Sequence, residues 1–272
     1  MADSIRIGAV NYLNTKPLIY DLEALAPEAE LVLDFPSRLA DLLAEGRLEV
    51  ALIPLVEYFR AASYTIVPNI AIVSQGPVLS VTLFSRVPWT AIRRVALDEG
   101  SRTSAALTQI LLHGRYGINH DVVPLPLDDA AEEVDADAVL LIGDRAMRAC
   151  LPGFAHAFDL GQEWHDWTGL PFVYAVWAVR EGVDLGSVSH ALTEAKRRGC
   201  ARIGEIAFRE APRLGLDAGF CRRYLANIIH FDLGSREQAG LEAFYRLACD
   251  QGLARRGVVL EYYRSRHFAE SR

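Results

Sequence analysis

The chain has 272 residues, of which 51% are hydrophobic, and a formal net charge of −7 at pH 7. A chain of this length folds as one large domain or as two lobes of about 100–150 residues each. The acidic balance argues against nucleic-acid binding, which needs a basic face, and no run reaches the roughly 20 apolar residues of a membrane helix. The first strand pattern begins almost at once and no CxxC pair is present, so we expect no secretory leader and a cytoplasmic protein with reduced cysteines.

Strand and helix patterns alternate through the first part of the chain. Short apolar runs predict strands at residues 5–10, 30–35 and 50–54, and amphipathic patterns predict helices at 16–25 and 38–46. A βαβαβ succession of this kind implies a parallel sheet with right-handed crossovers.

A polar elbow separates the first predicted strand from the first predicted helix, and it contains Asn11 and Asn14. Asn14 or Thr15 is a natural N-cap, and Pro17 fits the first helical turn because its missing N–H would have no partner there. The free N–H groups of such a helix start carry a partial positive charge. The elbow therefore predicts a site for a small acid, with both asparagines as candidate contacts.

A second α/β series follows, bounded by two longer apolar segments at residues 80–85 and 172–179. Its predicted elements are strands at 94–97, 121–125 and 136–142 and a helix at 103–113. After Arg180 the pattern is almost wholly helical, with predicted helices at 187–197, 201–210, 217–225 and 235–251 and a further candidate at 258–263.

Two α/β lobes followed by helices match the two-lobed architecture of the type II periplasmic-binding-protein fold. We expect residues 1–85 and 175–272 to form the first lobe with the C-terminal helices, and residues 86–174 to form the second lobe. The two longer apolar segments would cross between the lobes and act as the hinge. A ligand of such a protein lies in the cleft between the lobes, at the carboxyl ends of strands.

Hydroxyl side chains follow several of the predicted strands. Ser37 follows the second strand, and Ser80 opens the first of the two longer apolar segments. Ser101, Thr103 and Ser104 gather at the start of the helix in the second series. Hydroxyls and free N–H groups at a helix start hold a carboxylate without a full positive charge, although helix capping alone also explains such residues. All five are candidate substrate-binding residues.

Gly143 and Asp144 follow the last strand of the second series. Gly143 is a candidate substrate contact at the edge of the cleft. Asp144 is a candidate base, a partner for a substrate hydroxyl or simply a helix N-cap. No histidines have the spacing of metal ligands, and glycine-rich phosphate loops are absent from the sequence. We therefore expect neither a metal nor a cofactor.

Several segments, in order through most of the first 180 residues, resemble the chorismate dehydratase family of the futalosine route to menaquinone. They include Asn11-Tyr12-Leu13-Asn14, Val50-Ala51-Leu52-Ile53-Pro54, Ser101-Arg102-Thr103-Ser104, Leu141-Ile142-Gly143-Asp144 and Thr168-Gly169-Leu170-Pro171-Phe172. A sister family, 1,4-dihydroxy-6-naphthoate synthase, is expected to carry a histidine where this chain has Gly143-Asp144, so the dehydratase is favoured. A non-catalytic binding protein for a small acid is the other alternative.

The resemblance implies a lyase that converts chorismate, a small dicarboxylate, to 3-[(1-carboxyvinyl)oxy]benzoate and water. The enolpyruvyl carboxylate of the substrate is the expected proton acceptor, with Asp144 as the alternative. Asn14 is the expected catalytic amide, which orients the enolpyruvyl side chain or the departing hydroxyl. The hydroxyls of Ser80 and of the segment 101–104 are expected to hold carboxylates. A homo-oligomer is compatible with the sequence.

Overall fold

The computed structural model describes residues 4–61, 63–127 and 129–265, which contain two β-sheets. We call each sheet with its flanking helices a lobe. The strands, in chain order, are β1 (Arg6–Val10), β2 (Glu30–Asp34), β3 (Val50–Pro54), β4 (Tyr64–Ser74), β5 (Val81–Ser85), β6 (Arg94–Asp98), β7 (Asp121–Leu125), β8 (Ala138–Ile142), β9 (His156–Asp159), β10 (Phe172–Arg180) and β11 (Ile229–His230).

The sheet of the first lobe is mixed, with the strand order β11–β4–β10–β3–β1–β2. β1 runs parallel to β2 and β3, while β10 runs antiparallel to β3 and β4. Every residue of β3 is buried, as is every residue of β10 except the last, which fits strands covered on both faces. The parallel arrangement predicted for the first three strands is confirmed.

The sheet of the second lobe has the order β7–β6–β8–β5–β9. β6 runs parallel to β7 and β8, and β5 runs antiparallel to β8 and β9. β5 therefore belongs to the second lobe, although the predicted boundary at residue 85 assigned it to the first. β10 likewise lies wholly in the first sheet. The segments predicted to cross between the lobes are thus single-sheet strands, and the chain crosses between β4 and β5 and between β9 and β10.

The described helices account for most of the C-terminal third of the chain, and none of them is long and apolar enough to traverse a membrane. They are α1 (Leu22–Leu25), α2 (Pro36–Ala44), α3 (Leu55–Arg60), α4 (Arg102–Ile110), α5 (Gly143–Arg148), α6 (Leu160–Thr168), α7 (Ser187–Ala201), α8 (Ile203–Leu214), α9 (Ala218–Arg223) and α10 (Ser235–Asp250). π-Helical turns extend α4 over Leu111–Arg115 and α9 over Tyr224–Ile228. The candidate helix at 258–263 is wrong, because Tyr262 there forms an isolated bridge with Ile66.

The elbow after β1 also differs from its prediction. A 3₁₀ helix spans Leu13–Ile19, and the residue before it, Tyr12, makes no side-chain cap. Pro17 lies inside this helix rather than at its start, and only the short α1 follows. The physical reason lies outside the local sequence: a side chain of the second lobe, described below, accepts the first N–H of the helix, so neither Asn14 nor Thr15 caps it.

The C-terminal helices pack on the first lobe and hold the elbow in place. α7 lies against the 3₁₀ helix at Gly199, where an added Cβ would lie 2.6 Å from Pro17 Cα. α10 packs on β10, with the rings of Phe244 and Phe172 fully buried and their centroids 5.2 Å apart. Only glycine permits the close approach of α7, so this residue helps to set the position of the elbow.

Substituting Gly199 by alanine tests this packing. The new methyl group has no space against the Pro17 backbone, so we expect Gly199→Ala to lower the free energy of unfolding by about 1–3 kcal/mol. Urea denaturation measures the change. Gly204→Ala is the matched control, because Gly204 is an exposed glycine of α8 with open space around it, and alanine there should stabilise the helix by about 0.5–1 kcal/mol. Equal responses of the two variants would contradict the prediction.

Candidate functional site

A cavity that is partly open to solvent lies between the lobes, and the last residues of β1, β3 and β8 form part of its wall. Its polar lining consists of Tyr12, Asn14, Ser80, Ser101, Ser104 and Tyr174. Among the described residues that line it, none carries a carboxylate, an imidazole, an ammonium or a guanidinium group. The cavity therefore offers hydrogen-bonding groups in a neutral, otherwise apolar enclosure.

Asn14 and Ser80 face the cavity and are linked to each other through a buried tyrosine. Asn14 Nδ2 donates to the hydroxyl of Tyr224 at 3.3 Å, and that hydroxyl donates to Ser80 Oγ at 2.8 Å. Ser80 lies between β4 and β5, and its carbonyl oxygen accepts from the N–H of Gly143 at 2.7 Å. One chain of hydrogen bonds thus joins the N-terminal elbow, the C-terminal helices and the second lobe.

The start of α4 forms another part of the cavity wall. Ser101 is the N-cap residue, and its Oγ accepts from the N–H of Ser104 at 3.4 Å. The two hydroxyl oxygens lie 3.0 Å apart. The aligned peptide dipoles of α4 place a partial positive charge at this end of the helix. Of the whole lining, this end is the best suited to a carboxylate.

Gly143 lies at the cavity with a φ of +59°, a conformation that glycine adopts readily. An added Cβ would lie 2.8 Å from Cε2 of Tyr12. The ring of Tyr12, from the first lobe, therefore packs directly on the backbone of Gly143, from the second. Of the predicted residues, the structure brings together Asn14, Ser80, Ser101, Ser104 and Gly143.

Two predicted substrate contacts lie away from the cavity lining. Asn11 is exposed, and its Oδ1 accepts from Lys16 Nζ at 2.6 Å. Ser37 lies in the first turn of α2, where its N–H donates to the carbonyl oxygen of Gly100 at 3.2 Å. α2 begins at Pro36, so Ser37 lies inside the helix rather than at the cap position before the helix predicted at 38–46. Neither residue is among those that line the cavity.

Thr103 and Asp144 also lie outside the cavity lining, and both accept an N–H from the first lobe. Thr103 is fully buried, and its Oγ1 accepts from the N–H of Val56, in the first turn of α3, at 3.0 Å. Asp144 is 6% exposed, and its Oδ1 accepts from the N–H of Leu13 at 3.1 Å. The sequence predicted that a free N–H of the elbow would bind an anionic ligand. In the structure the N–H of Leu13 donates to a carboxylate of the protein itself.

The buried carboxyl groups beside the cavity are Asp144 and Asp98. Burial raises the pKa of Asp144 above its ordinary value, and the N–H of Leu13 opposes that rise. Burial likewise raises the pKa of Asp98 to about 6, against the opposing effects of the Gly100 N–H and the Arg145 charge. Asp98 is 2% exposed, and its Oδ1 accepts from the N–H of Gly100 at 2.8 Å.

Three tyrosines at the site are not among the residues predicted from the sequence. Tyr12 is part of the elbow motif, but nothing in its neighbours marks it as a cavity residue. Tyr174 is the third residue of a buried strand, and its hydroxyl lies 3.0 Å from Ser74 Oγ. Tyr224 lies on a helical pattern, where a tyrosine normally indicates ordinary core. Only the position of each hydroxyl in the fold separates these residues from core tyrosines.

The chain is similar to known proteins over most of its length. Residues 5–250 match a family model described as menaquinone biosynthesis. A protein of Thermus thermophilus named chorismate dehydratase is 34% identical over 259 residues, which cover 88% of this chain and 93% of that protein. A Campylobacter jejuni protein of the same name is 25% identical over 248 residues, with 89% of this chain and 96% of that protein covered.

Solved structures share the architecture at lower identity. Protein AF1704 of Archaeoglobus fulgidus matches with a TM-score of 0.73 and 20% identity, over 92% of this chain and 98% of that one. The alkanesulfonate-binding protein SsuA of Xanthomonas axonopodis, bound to MOPS, matches with a TM-score of 0.68 and 16% identity, over 94% and 96% of the two chains. The predicted two-lobed periplasmic-binding-protein fold is confirmed.

Stability should depend on pH through Asp98. A carboxyl whose pKa rises from 3.8 to about 6 on folding favours the folded state when protonated, so its contribution is complete below about pH 4 and is lost as the pH rises through 6. Between about pH 4 and pH 7 the free energy of unfolding of the wild type should therefore fall by about 2 kcal/mol relative to that of Asp98→Asn. Urea denaturation across this range measures the difference.

Asp135→Asn is the matched control for this experiment, because the Asp135 side chain is 95% exposed. Its unfolding free energy should follow that of the wild type at every pH. A wild type and an Asp98→Asn variant whose curves stay parallel would contradict the assignment of this pH dependence to Asp98.

Proposed function

We propose that this chain, which belongs to the chorismate dehydratase family of menaquinone biosynthesis, removes water from chorismate. The product is 3-[(1-carboxyvinyl)oxy]benzoate. Chorismate loses the ring proton next to the ether oxygen and the neighbouring hydroxyl group, and these leave as one water. The ring becomes aromatic, which supplies the driving force, and no oxidant or reductant is consumed. The protein therefore has to orient the substrate and stabilise the charge that develops.

The observation that carries this proposal is the neutral, donor-bearing cavity. Its apolar walls, including Pro36, Pro54 and Ile72, suit a six-membered ring. The start of α4, with Ser101 and Ser104, suits one substrate carboxylate, because N–H groups and hydroxyls there supply donors and partial positive charge. A cavity of this composition binds a dicarboxylate through local hydrogen bonds, which matters in a chain of net charge −7.

The proton acceptor in this proposal is the enolpyruvyl carboxylate of the substrate itself. The described lining offers no carboxylate or imidazole that would take the ring proton. Asp144, the alternative base, lies behind the lining and already accepts the Leu13 N–H. Assigning the step to the substrate lets Asp144 keep that contact throughout the reaction.

Asn14 orients the reacting part of the substrate in this scheme. One N–H of its Nδ2 is used by Tyr224, and the other remains for a ligand in the cavity. An amide N–H at this position hydrogen-bonds the enolpyruvyl side chain or the departing hydroxyl. Because an amide is neutral, it offers that donor without competing for the proton.

A turnover assay with chorismate, without added metal or cofactor, tests the proposal directly. Mass spectrometry and NMR should detect loss of one water and the meta-substituted enolpyruvyl benzoate. Saturable binding of chorismate without turnover would instead support a binding protein, as the fold permits. Turnover of a later naphthoate precursor, with chorismate untouched, would support the 1,4-dihydroxy-6-naphthoate synthase alternative.

Asn14→Asp should abolish most of the activity. The substitution replaces an amide donor by a carboxylate that repels the dicarboxylate substrate, so we expect kcat/KM to fall by about 100-fold or more. Steady-state kinetics with chorismate measure this loss. Asn119→Asp is the matched control, since Asn119 is exposed and lies outside the cavity lining. Near-wild-type kinetics for Asn14→Asp would remove Asn14 from the mechanism.

A further inference from the structure

We infer that Tyr224 is a positioning residue, whose buried hydroxyl fixes the Asn14 amide and turns the Ser80 hydroxyl into a donor toward the cavity. The inference rests on the proposed function and extends it, because it names the residue that orients Asn14 and Ser80 in the same site. Tyr224 is not itself among the residues that line the cavity. It acts through the two residues that are.

The position of Tyr224 is held firmly by the C-terminal part of the chain. It is 1% exposed and is the first residue of the π-helical turn that extends α9. The residues directly after this turn form β11, in which Ile229 pairs with Ser74 at the end of β4. The turn is thus anchored on both sides, by α9 and by the first sheet. A hydroxyl held in this way is a fixed reference point for flexible neighbours.

Counting donors and acceptors defines what this hydroxyl does. Its single proton goes to Ser80 Oγ, and its oxygen accepts from Asn14 Nδ2. Since Ser80 Oγ accepts this bond, its own proton is left to be donated elsewhere. Within the described residues no acceptor for that proton appears, and Ser80 lies on the cavity wall. The Ser80 proton is therefore available to a carboxylate in the cavity.

The same count applies to Asn14. One N–H of the Asn14 amide donates to Tyr224, which fixes the orientation of the side-chain amide. Its Oδ1 accepts from Thr15 Oγ1 at 3.4 Å. The second N–H is then directed by the first, because the amide group is planar. Without the Tyr224 hydroxyl only the long Thr15 contact restrains the amide, and the donor loses its fixed direction.

Burial also keeps the Tyr224 hydroxyl protonated, because it raises the pKa of this phenol above its ordinary value. The hydroxyl consequently remains a donor to Ser80 throughout the neutral range. The geometry of the two hydrogen bonds, rather than titration, carries the argument.

Tyr224→Phe removes the hydroxyl and keeps the ring. We expect kcat for chorismate to fall about 10-fold or more while KM changes by less than about threefold, because orientation of Asn14 matters most as charge develops. In an Asn14→Ala, Ser80→Ala background, the same substitution should change kcat/KM by less than about twofold, since both groups through which it acts are gone. Wild-type kinetics for Tyr224→Phe, or an equal loss in both backgrounds, would overturn the inference.

Tyr58→Phe is the matched control. Tyr58 is a buried tyrosine whose hydroxyl also makes two hydrogen bonds, to the carbonyl oxygen of Val259 and the N–H of Glu261, but it lies outside the cavity lining. Both phenylalanine variants should lose some thermal stability, whereas only Tyr224→Phe should lose kcat. A matching loss of kcat in Tyr58→Phe would assign the effect to general destabilisation.

NMR provides a readout that does not require turnover. The side-chain amide resonances of Asn14, assigned by their disappearance in Asn14→Ala, should shift in Tyr224→Phe and stay unchanged in Tyr58→Phe. Unchanged resonances in Tyr224→Phe would refute positioning. If the wild type fails to convert chorismate, the proposed function falls, while these resonances still decide whether Tyr224 positions Asn14.

Discussion

The structure depends on how the helix starts of the first lobe satisfy their N–H groups. The first turns of a helix leave N–H groups without intrahelical partners, and these need acceptors. Three helices that follow parallel strands of the first sheet donate such an N–H to the second lobe. The pairs are Leu13 to Asp144 Oδ1 at 3.1 Å, Ser37 to the carbonyl oxygen of Gly100 at 3.2 Å, and Val56 to Thr103 Oγ1 at 3.0 Å. The same three hydrogen bonds therefore cap these helices and join the two lobes.

This arrangement divides the polar groups of the cleft into two sets. One set, with Asp144 and Thr103, is used to join the lobes and lies behind the cavity wall. The other set, with Asn14, Ser80 and the start of α4, remains for a ligand. Acidic side chains are confined to the first set, where backbone N–H groups compensate them. An acidic protein can thus present a cavity that suits an anion.

The sequence predicts most of the fold because the strand signals are local. β1 and β3 are short, mainly apolar runs, and their parallel pairing follows from the helical pattern between them. The site is predicted less completely because its decisive contacts are distant in the chain. The residue that caps the elbow, Asp144, lies 131 positions after Leu13, and Tyr224 lies 210 positions after Asn14. Local capping rules applied to Asn14 and Thr15 therefore identified the right segment but the wrong partner.

The hydrogen bonds that cap these three helices also set part of the free-energy cost of separating the two lobes. Separating the lobes would expose each of these N–H groups to solvent, where water replaces the lost acceptor. A hydrogen bond exchanged for one to water is worth only about 0.5–1.5 kcal/mol net. Three such exchanges together change the free energy by about 1.5–4.5 kcal/mol. The hydrogen bonds that join the lobes at the helix starts therefore oppose their separation only weakly.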